Sequence, residues 1–294
     1  MPTDSSELPG LLRRSLESGR IHSAYLLSGS GSMPRDTALD FVRALVCQQA
    51  GGPCEECIDC RRSSPREPIA LDGTGKTGPL LRHVGDHADL FWVERGDGAT
   101  RVTIGQIRAL QNALHLRSNE GGRRAAVIAD AEWMNPNAQN ALLRILEEPP
   151  PQTTLVLATA TAAGLLPTVR SRCQRVRFES DSAAAQRDPE HKAMRERFDG
   201  IAVATIPDLL DWAAEYRGAR ATVVGGVEAF LETASLWLHD GVLTAVRESA
   251  FDVSHDLDAL RTLSDCRKTL SQRNANPQMV VERALLALRE SALR

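Results

Sequence analysis

The alternation of apolar and polar positions changes character near residue 178. Before it, short apolar runs alternate with amphipathic stretches. Residues 25–28, 90–94, 125–130 and 154–158 are strand-length runs of aliphatic, aromatic and small residues. Between them lies helical spacing. Over 37–48 the apolar positions are Ala38, Phe41, Val42, Leu45 and Val46, and over 103–116 they are Ile104, Ile107, Leu110 and Leu114. Asn135 followed by Pro136 predicts the start of a helix that turns Ala138, Leu142, Ile145 and Leu146 inward. Pro149, Pro150 and Pro151 end it, because proline cannot continue a helix. Strands alternating with helices predict an α/β domain built on a parallel sheet.

Beyond Phe178, residues 180–190 are polar and weakly periodic, and from 205 onward only helical spacing is visible. Thr205 and Asp208 have the spacing of a capping box ahead of Leu209, Leu210, Ala213 and Tyr216. Val227, Phe230, Leu231, Ala234 and Leu238 mark a second helix, and Leu257, Leu260, Leu263 and Leu270 a third. Asn276-Pro277 opens a last helix carrying Val280, Ala284, Leu285 and Leu288. This half reads as a helical bundle. Residues 61–85, with repeated Gly and Pro, read as a flexible insertion.

With 294 residues the chain can hold two or three domains. A formal net charge of -3 means that no global basic field announces nucleic acid, so any DNA contact is local. No apolar run reaches the roughly 18 residues of a membrane span. Residues 1–10 are polar and acidic, unlike a secretory signal. The expected location is cytosolic, where thiols stay reduced.

That compartment changes the meaning of four cysteines spaced Cys47-x6-Cys54-x2-Cys57-x2-Cys60. Four thiolates suit a tetrahedral Zn2+, and the two-residue gaps let one tight turn present two sulfurs. Gly51, Gly52 and Pro53 let the chain turn back. Four protein ligands leave no open position for chemistry, so the zinc is structural, a staple on the helix ending near Cys47. The plainer alternative is four free thiols in a surface loop. Cys173 and Cys266 stand alone and read as small buried residues.

Just before this cluster, Leu27-Ser28-Gly29-Ser30-Gly31-Ser32-Met33-Pro34-Arg35-Asp36 lies where a nucleotide-binding fold places its phosphate loop. A working loop puts a Lys on the β- and γ-phosphates and a Ser/Thr hydroxyl on Mg2+. Here, depending on alignment, Arg35 or Pro34 takes the Lys place and Asp36 or Arg35 the hydroxyl place. Asp36 repels phosphate, and Pro34 removes a backbone N–H from the anion nest. Gly73-Thr74-Gly75-Lys76-Thr77 copies the end of the motif, but no strand leads into it and Gly78-Pro79 follows where a helix belongs. Asp130 ends a strand as a Mg2+-competent carboxylate, yet Ala131 stands where an ATPase keeps its catalytic Glu, and Glu132 comes one residue late. Both halves of the site point to a chain that does not hydrolyse ATP.

Three segments then resemble the bacterial clamp-loader family of AAA+ ATPases. They are Asn140-Ala141-Leu142-Leu143-Arg144-Ile145-Leu146-Glu147-Glu148-Pro149-Pro150, Leu165-Leu166-Pro167-Thr168-Val169-Arg170-Ser171-Arg172-Cys173, and His22-Ser23-Ala24-Tyr25-Leu26-Leu27-Ser28-Gly29. The four-cysteine module lies where that family inserts zinc, and Asn274-Ala275-Asn276-Pro277 resembles its closing collar helix. The resemblance covers 20–60 and 86–178 best. It implies an AAA+ domain over 1–178 with a zinc module at 47–60, a reduced helical lid over 179–204, and an all-α collar over 205–294. Residues 61–85 are longer than the family's usual link, and 179–204 shorter than its usual lid.

Because the lysine is missing, the chain resembles the family's non-hydrolysing member rather than its tau/gamma motor subunits. The resemblance implies a stator that binds no ATP productively: Gly29, Gly31, Pro34, Arg35 and Asp36 form a degenerate phosphate loop, and Asp130 a degenerate Mg2+ site. Arg172 of the Ser-Arg-Cys motif is the implied arginine finger, reaching the ATP of a neighbouring motor subunit; its plainer role is a surface salt bridge. Arg170, Arg175 and Arg177 read as interface or surface charges, Thr159 as a vestigial sensor or a simple strand-end residue, and Glu147 and Glu148 as structural or interface residues. The implied partners are the tau/gamma and delta subunits, the sliding clamp and primer–template DNA, with no membrane. Two other readings stay open: a divergent tau/gamma-like ATPase using Arg35 or Lys76, and a zinc-bearing DNA-binding protein. Against the latter stand the missing basic surplus and an aromatic content of only 4%.

Overall fold

Tyr25, Leu26 and Leu27 are consecutive and all buried because the strand they form is covered on both faces. Period-two side chains from one strand enter two different cores. This is seen in a computed structural model that describes residues 8–29, 31–49, 51–64, 71–72, 81–96, 101–116, 118, 122–178, 189–247, 253–272 and 275–293. The chain forms two compact units, Met1–Glu179 and Ser180–Arg294.

The first unit is built on a seven-stranded sheet. Its strands are β1 (Ala24–Ser28), β2 (Leu71–Asp72), β3 (Leu81–His83), β4 (Leu90–Val93), β5 (Arg124–Ile128), β6 (Thr153–Thr159) and β7 (Gln174–Arg177), in the order β2-β3-β4-β5-β6-β1-β7. Strands β4, β5, β6, β1 and β7 run parallel, in registers such as Leu26 opposite Leu157 and Val127 opposite Val156. Strands β2 and β3 extend the β4 edge antiparallel.

The helices of this unit are α1 (Gly10–Ser18), α2 (Met33–Val46), α3 (Ile58–Arg62), α4 (Ile104–His115), α5 (Pro136–Glu147) and α6 (Pro167–Arg170). Leu12, Phe41, Val42 and Leu45 of α1 and α2 pack with Tyr25, Leu27, Trp92, Val127 and Val156 on one face of the sheet. Ile107, Leu110, Leu142, Ile145 and Val169 of α4, α5 and α6 pack with Leu26, Val93, Ile128, Leu155 and Leu157 on the other. The result is an α/β/α sandwich. Its parallel strands end together at one edge, where an open α/β sheet presents its ligand site.

Caps set the helix starts. The Asn135 side chain accepts the Ala138 N–H at 2.8 Å, as its place before Pro136 predicts. Thr103 and Gln106 form a reciprocal capping box at α4. Helix α2 begins at Met33, four residues before the apolar spacing, with no side-chain cap from Ser32 and with Pro34 in its first turn, where the missing N–H costs no helical bond. Residues 61–85 are not irregular throughout: they supply the end of α3 and the edge strands β2 and β3, with Leu81 and Val84 buried. Gly73 to Thr77, the second phosphate-loop candidate, lies outside the described residues, as do 179–188.

The second unit contains helices α7 (Pro189–Asp199), α8 (Ile206–Ala214), α9 (Arg220–Arg247), α10 (Ser254–Gln272) and α11 (Pro277–Ala292). The Thr205–Asp208 capping box opens α8, and the Asn276 side chain caps α11. Phe198, Trp212, Tyr216, Phe230 and Trp237 form an aromatic cluster joining α7, α8 and α9. No described helix of either unit is long and apolar enough to cross a membrane.

Candidate metal centre and phosphate-loop region

Cys47 follows the last turn of α2, Cys54 and Cys57 sit on the loop after it, and Cys60 lies in α3. Their four Sγ atoms lie within 4.8 Å of one another, and Cys54 and Cys60 sulfurs are 3.9 Å apart. Sulfurs bound at about 2.3 Å to one tetrahedral ion sit about 3.8 Å apart, so the cluster fits a metal such as zinc. Backbone N–H groups donate to these sulfurs, among them Gln49 to Cys47 at 3.3 Å, Cys57 to Cys54 at 3.3 Å and Cys60 to Cys57 at 3.4 Å. Such donors stabilise thiolates and fix their direction.

Burial pushes the Cys47 and Cys60 thiols up. At Cys57 burial also acts upward, but hydrogen bonds from the Gln48 and Cys60 backbone and from the Cys60 and Cys54 side chains outweigh it, bringing the thiol down to about 7. Metal binding needs all four deprotonated, so an ion and this fold favour each other.

Side chains outside the motif brace the module. Arg43, fully buried on α2, donates through Nη2 to Glu55 Oε2 at 2.7 Å and to the Cys60 carbonyl at 3.3 Å. Asp59 accepts from Gln48 at 2.9 Å and lies 3.5 Å from His87 Nε2. Gly85, at φ +59°, brings the 84–87 turn so close that an added Cβ would stand 2.0 Å from the Arg62 carbonyl oxygen. Sequence reasoning missed these braces; the one available signal was Arg43, a charge amid the apolar face Phe41, Val42 and Leu45.

The phosphate-loop region has the expected strand–turn–helix order. Gly29 follows β1 and donates to the Thr159 carbonyl at 3.2 Å, Gly31 adopts φ 74°, and α2 begins at Met33. With Gly29 as first glycine, Arg35 takes the lysine place and Asp36 the hydroxyl place. Arg35 Nη2 bonds Glu94 Oε2, while Arg82 Nη1 bonds Glu94 Oε1. Trp92 Nε1 donates to Glu94 Oε2 at 3.0 Å, and the Arg35 guanidinium lies 5.1 Å from the Trp92 ring centroid. Nothing in the sequence flagged this carboxylate, because its partners come from α2, β3 and β4.

Asp130 Oδ2 accepts the Arg95 backbone N–H at 2.9 Å and lies 3.4 Å from Arg95 Nε. Glu132, in a single 3-10 turn over Ala131–Trp133, is buried and accepts the Ala160 N–H at 2.9 Å. Burial raises its carboxyl to about 7. Thr159, ending β6, is engaged locally: it donates to the Thr161 carbonyl at 2.9 Å and accepts the Thr161 N–H at 3.1 Å.

Arg172 stands in the turn between α6 and β7. Its Nη2 pairs with Glu147 Oε1 at 2.7 Å and its Nη1 donates to the Thr168 carbonyl at 2.9 Å. The flanking Cys173 is buried, which pushes its thiol up to about 12, and donates to the Val169 carbonyl at 3.3 Å. Arg175 and Arg177 are exposed on β7, and Glu148 is exposed at the end of α5. The structure thus gathers the four cysteines, and separately Arg35 with Glu94. Arg172 belongs to neither group in its hydrogen bonds.

The sequence profile of the family described as "DNA polymerase III, delta subunit" matches residues 5–69 and 77–182. The DNA polymerase III subunit delta′ of Bacillus subtilis is 34% identical over 171 residues, 58% of this chain and 46% of that protein. The subunit delta′ of Pseudomonas aeruginosa is 34% identical over 165 residues, 55% of this chain and 44% of that protein. The DNA polymerase III subunit gamma/tau of Mycobacterium tuberculosis is 28% identical over 166 residues, 55% of this chain and 25% of that protein. Each match therefore spans less than half the length of the relative. The profile takes in the cysteine module, the phosphate-loop region, Asp130 and Arg172 together, and on that footing the chain belongs to the DNA polymerase III delta-prime clamp-loader family.

Proposed function

We propose that this chain is the stator subunit of a DNA polymerase III clamp loader, a subunit that binds no ATP itself. It helps place the ring-shaped sliding clamp on primed DNA, working in the cytoplasm with tau/gamma motor subunits and a delta subunit. Residues 205–294 serve as its oligomerisation collar and 179–204 as a reduced lid. The chain alone is not an enzyme; turnover belongs to the motor subunits.

The observation that carries this reading is Arg35, which stands in the place of the phosphate-binding lysine and is engaged by the Glu94 carboxylate. Asp36 in the hydroxyl place adds a negative charge where phosphates would lie, and Asp130 already accepts from Arg95. Arg172 acts in trans. A guanidinium offers fixed donors to γ-phosphate oxygens and adds positive charge as negative charge develops. Cys47, Cys54, Cys57 and Cys60 hold one structural Zn2+, which when bound cross-links α2, the loop and α3 and offers no open coordination position.

Titration calorimetry of the isolated zinc-loaded chain with Mg-ATP tests the reading. No binding up to millimolar ATP is expected. Micromolar binding would instead favour a divergent tau/gamma-like ATPase, the second reading supported by the gamma/tau relative.

A further inference from the structure

Glu94 has an unusual set of partners for a strand-end carboxylate. It follows β4 at the edge where the parallel strands end, and two guanidinium groups and an indole N–H converge on it. Its side chain is 9% exposed, whereas Arg82 is 18% and Arg35 43% exposed, so solvent reaches the cations more than the anion between them. Its backbone is also fixed: the Glu94 carbonyl accepts from Gln106 Nε2 at 2.8 Å, and Gln106 is buried at the start of α4. Two arginines and an indole N–H directed at two oxygens form a cradle for an oxyanion.

We infer that Glu94 is a built-in anion occupying a latent polyphosphate site, and that this carboxylate, as much as the lost lysine, keeps phosphates out. Arg35 occupies the residue position from which a lysine would reach the β- and γ-phosphates. Its charge is already neutralised, and a phosphate approaching it meets the Glu94 carboxylate as a competitor of the same sign. The ligand class is a polyphosphate, either the tail of a nucleotide or the free anion. The inference rests on the stator reading in that both treat the loop as unused, but it assigns the cause to a different residue.

The test is calorimetry of the full chain with magnesium-free tripolyphosphate, and in parallel with ATP, for wild type, Glu94→Gln and Glu94→Gln/Arg35→Ala. Glu94→Gln should bind tripolyphosphate at least about tenfold more tightly than wild type, the worth of roughly one freed charge-assisted hydrogen bond. Adding Arg35→Ala should erase the gain. A larger gain for ATP than for tripolyphosphate assigns the site to a nucleotide tail; an equal gain assigns it to the bare anion. No gain in Glu94→Gln, or a gain that survives Arg35→Ala, overturns the inference. If Glu94→Gln is unfolded alone, Glu94→Gln/Arg82→Gln removes one cation with the anion and is read in the same way; a variant that stays unfolded even with tripolyphosphate also counts against it. ATP binding by wild type would sink the stator reading instead, so the two failures are distinct.

Discussion

Arg172 and Glu147 hold each other at 2.7 Å, Nη2 to Oε1, from the α6–β7 turn and the last residue of α5. The guanidinium proposed to act on a neighbour's ATP is therefore parked on its own subunit. Both side chains are more than a third exposed, and pairs of that kind contribute about 0–1 kcal/mol. A γ-phosphate with its greater charge can outcompete such a partner.

Arg172→Ala should therefore leave the unfolding midpoint nearly unchanged and slow hydrolysis by about 10³-fold at the one neighbouring site it serves, so that the reconstituted loader loses that site's share of its ATP turnover. Glu147→Gln breaks the same ion pair but keeps the guanidinium, so its turnover should stay at or above wild type. Steady-state ATPase assays of the two loaders decide the matter. Normal turnover with Arg172→Ala would return Arg172 to an ordinary surface salt bridge.

Cys57 joins two turns of the metal module, accepting the Cys60 N–H while the Cys57 N–H donates to Cys54. Cys57→Ser should release the metal and lower amide-exchange protection over residues 47–60 by at least about tenfold, since local structure closed by an ion opens without it. The sheet, with its two apolar cores, should keep its protection. Elemental analysis for zinc and hydrogen exchange by mass spectrometry read both outcomes; unchanged zinc content would defeat the assignment of these ligands.

The strands legible in the sequence are those buried on both faces. The full burial of β5 and β6 makes their sequences near-continuous apolar runs. Strand β7 was not legible, because at the sheet edge only Val176 turns inward while Arg175 and Arg177 are exposed. Helix α7 escaped for a related reason: among its described side chains only Phe198 is buried, too little for a stripe. The cysteine module announced itself because ligand spacing is local in sequence. The Glu94 cluster did not, because it depends on β3 lying beside β4 and on α2 reaching across to them, and pairings of that range leave no periodic mark.

Gly85→Ala should be costly despite removing no interaction. The position needs a left-handed backbone, and its new Cβ would meet the Arg62 carbonyl oxygen at 2.0 Å, so the turn or the end of α3 must move. Left-handed strain alone costs about 1–3 kcal/mol, and the displacement adds to it. We expect at least about 2 kcal/mol of lost stability in urea unfolding, together with weaker retention of the metal against a chelator. Wild-type stability in this variant would show that the 84–87 turn does not brace the metal module.

Glu132 gives the stability of the first unit a pH dependence with a definite sign. Burial raises its carboxyl from 4.5 to about 7 in the folded chain, while the unfolded chain keeps the ordinary value. Between those values the folded state holds a proton that the unfolded state has lost. The stabilisation is thus fully present below about 4.5 and disappears as pH rises through about 7. Glu132→Gln keeps an oxygen to accept the Ala160 N–H but carries no charge at any pH. At pH 8 it should be more stable than wild type by on the order of 1–3 kcal/mol, and at pH 4.5 or below the two should converge. Urea unfolding of both proteins across that range measures the difference directly. A stability difference that stays constant with pH would mean that Glu132 is ionised in the folded protein and that its burial is offset by a partner other than Ala160.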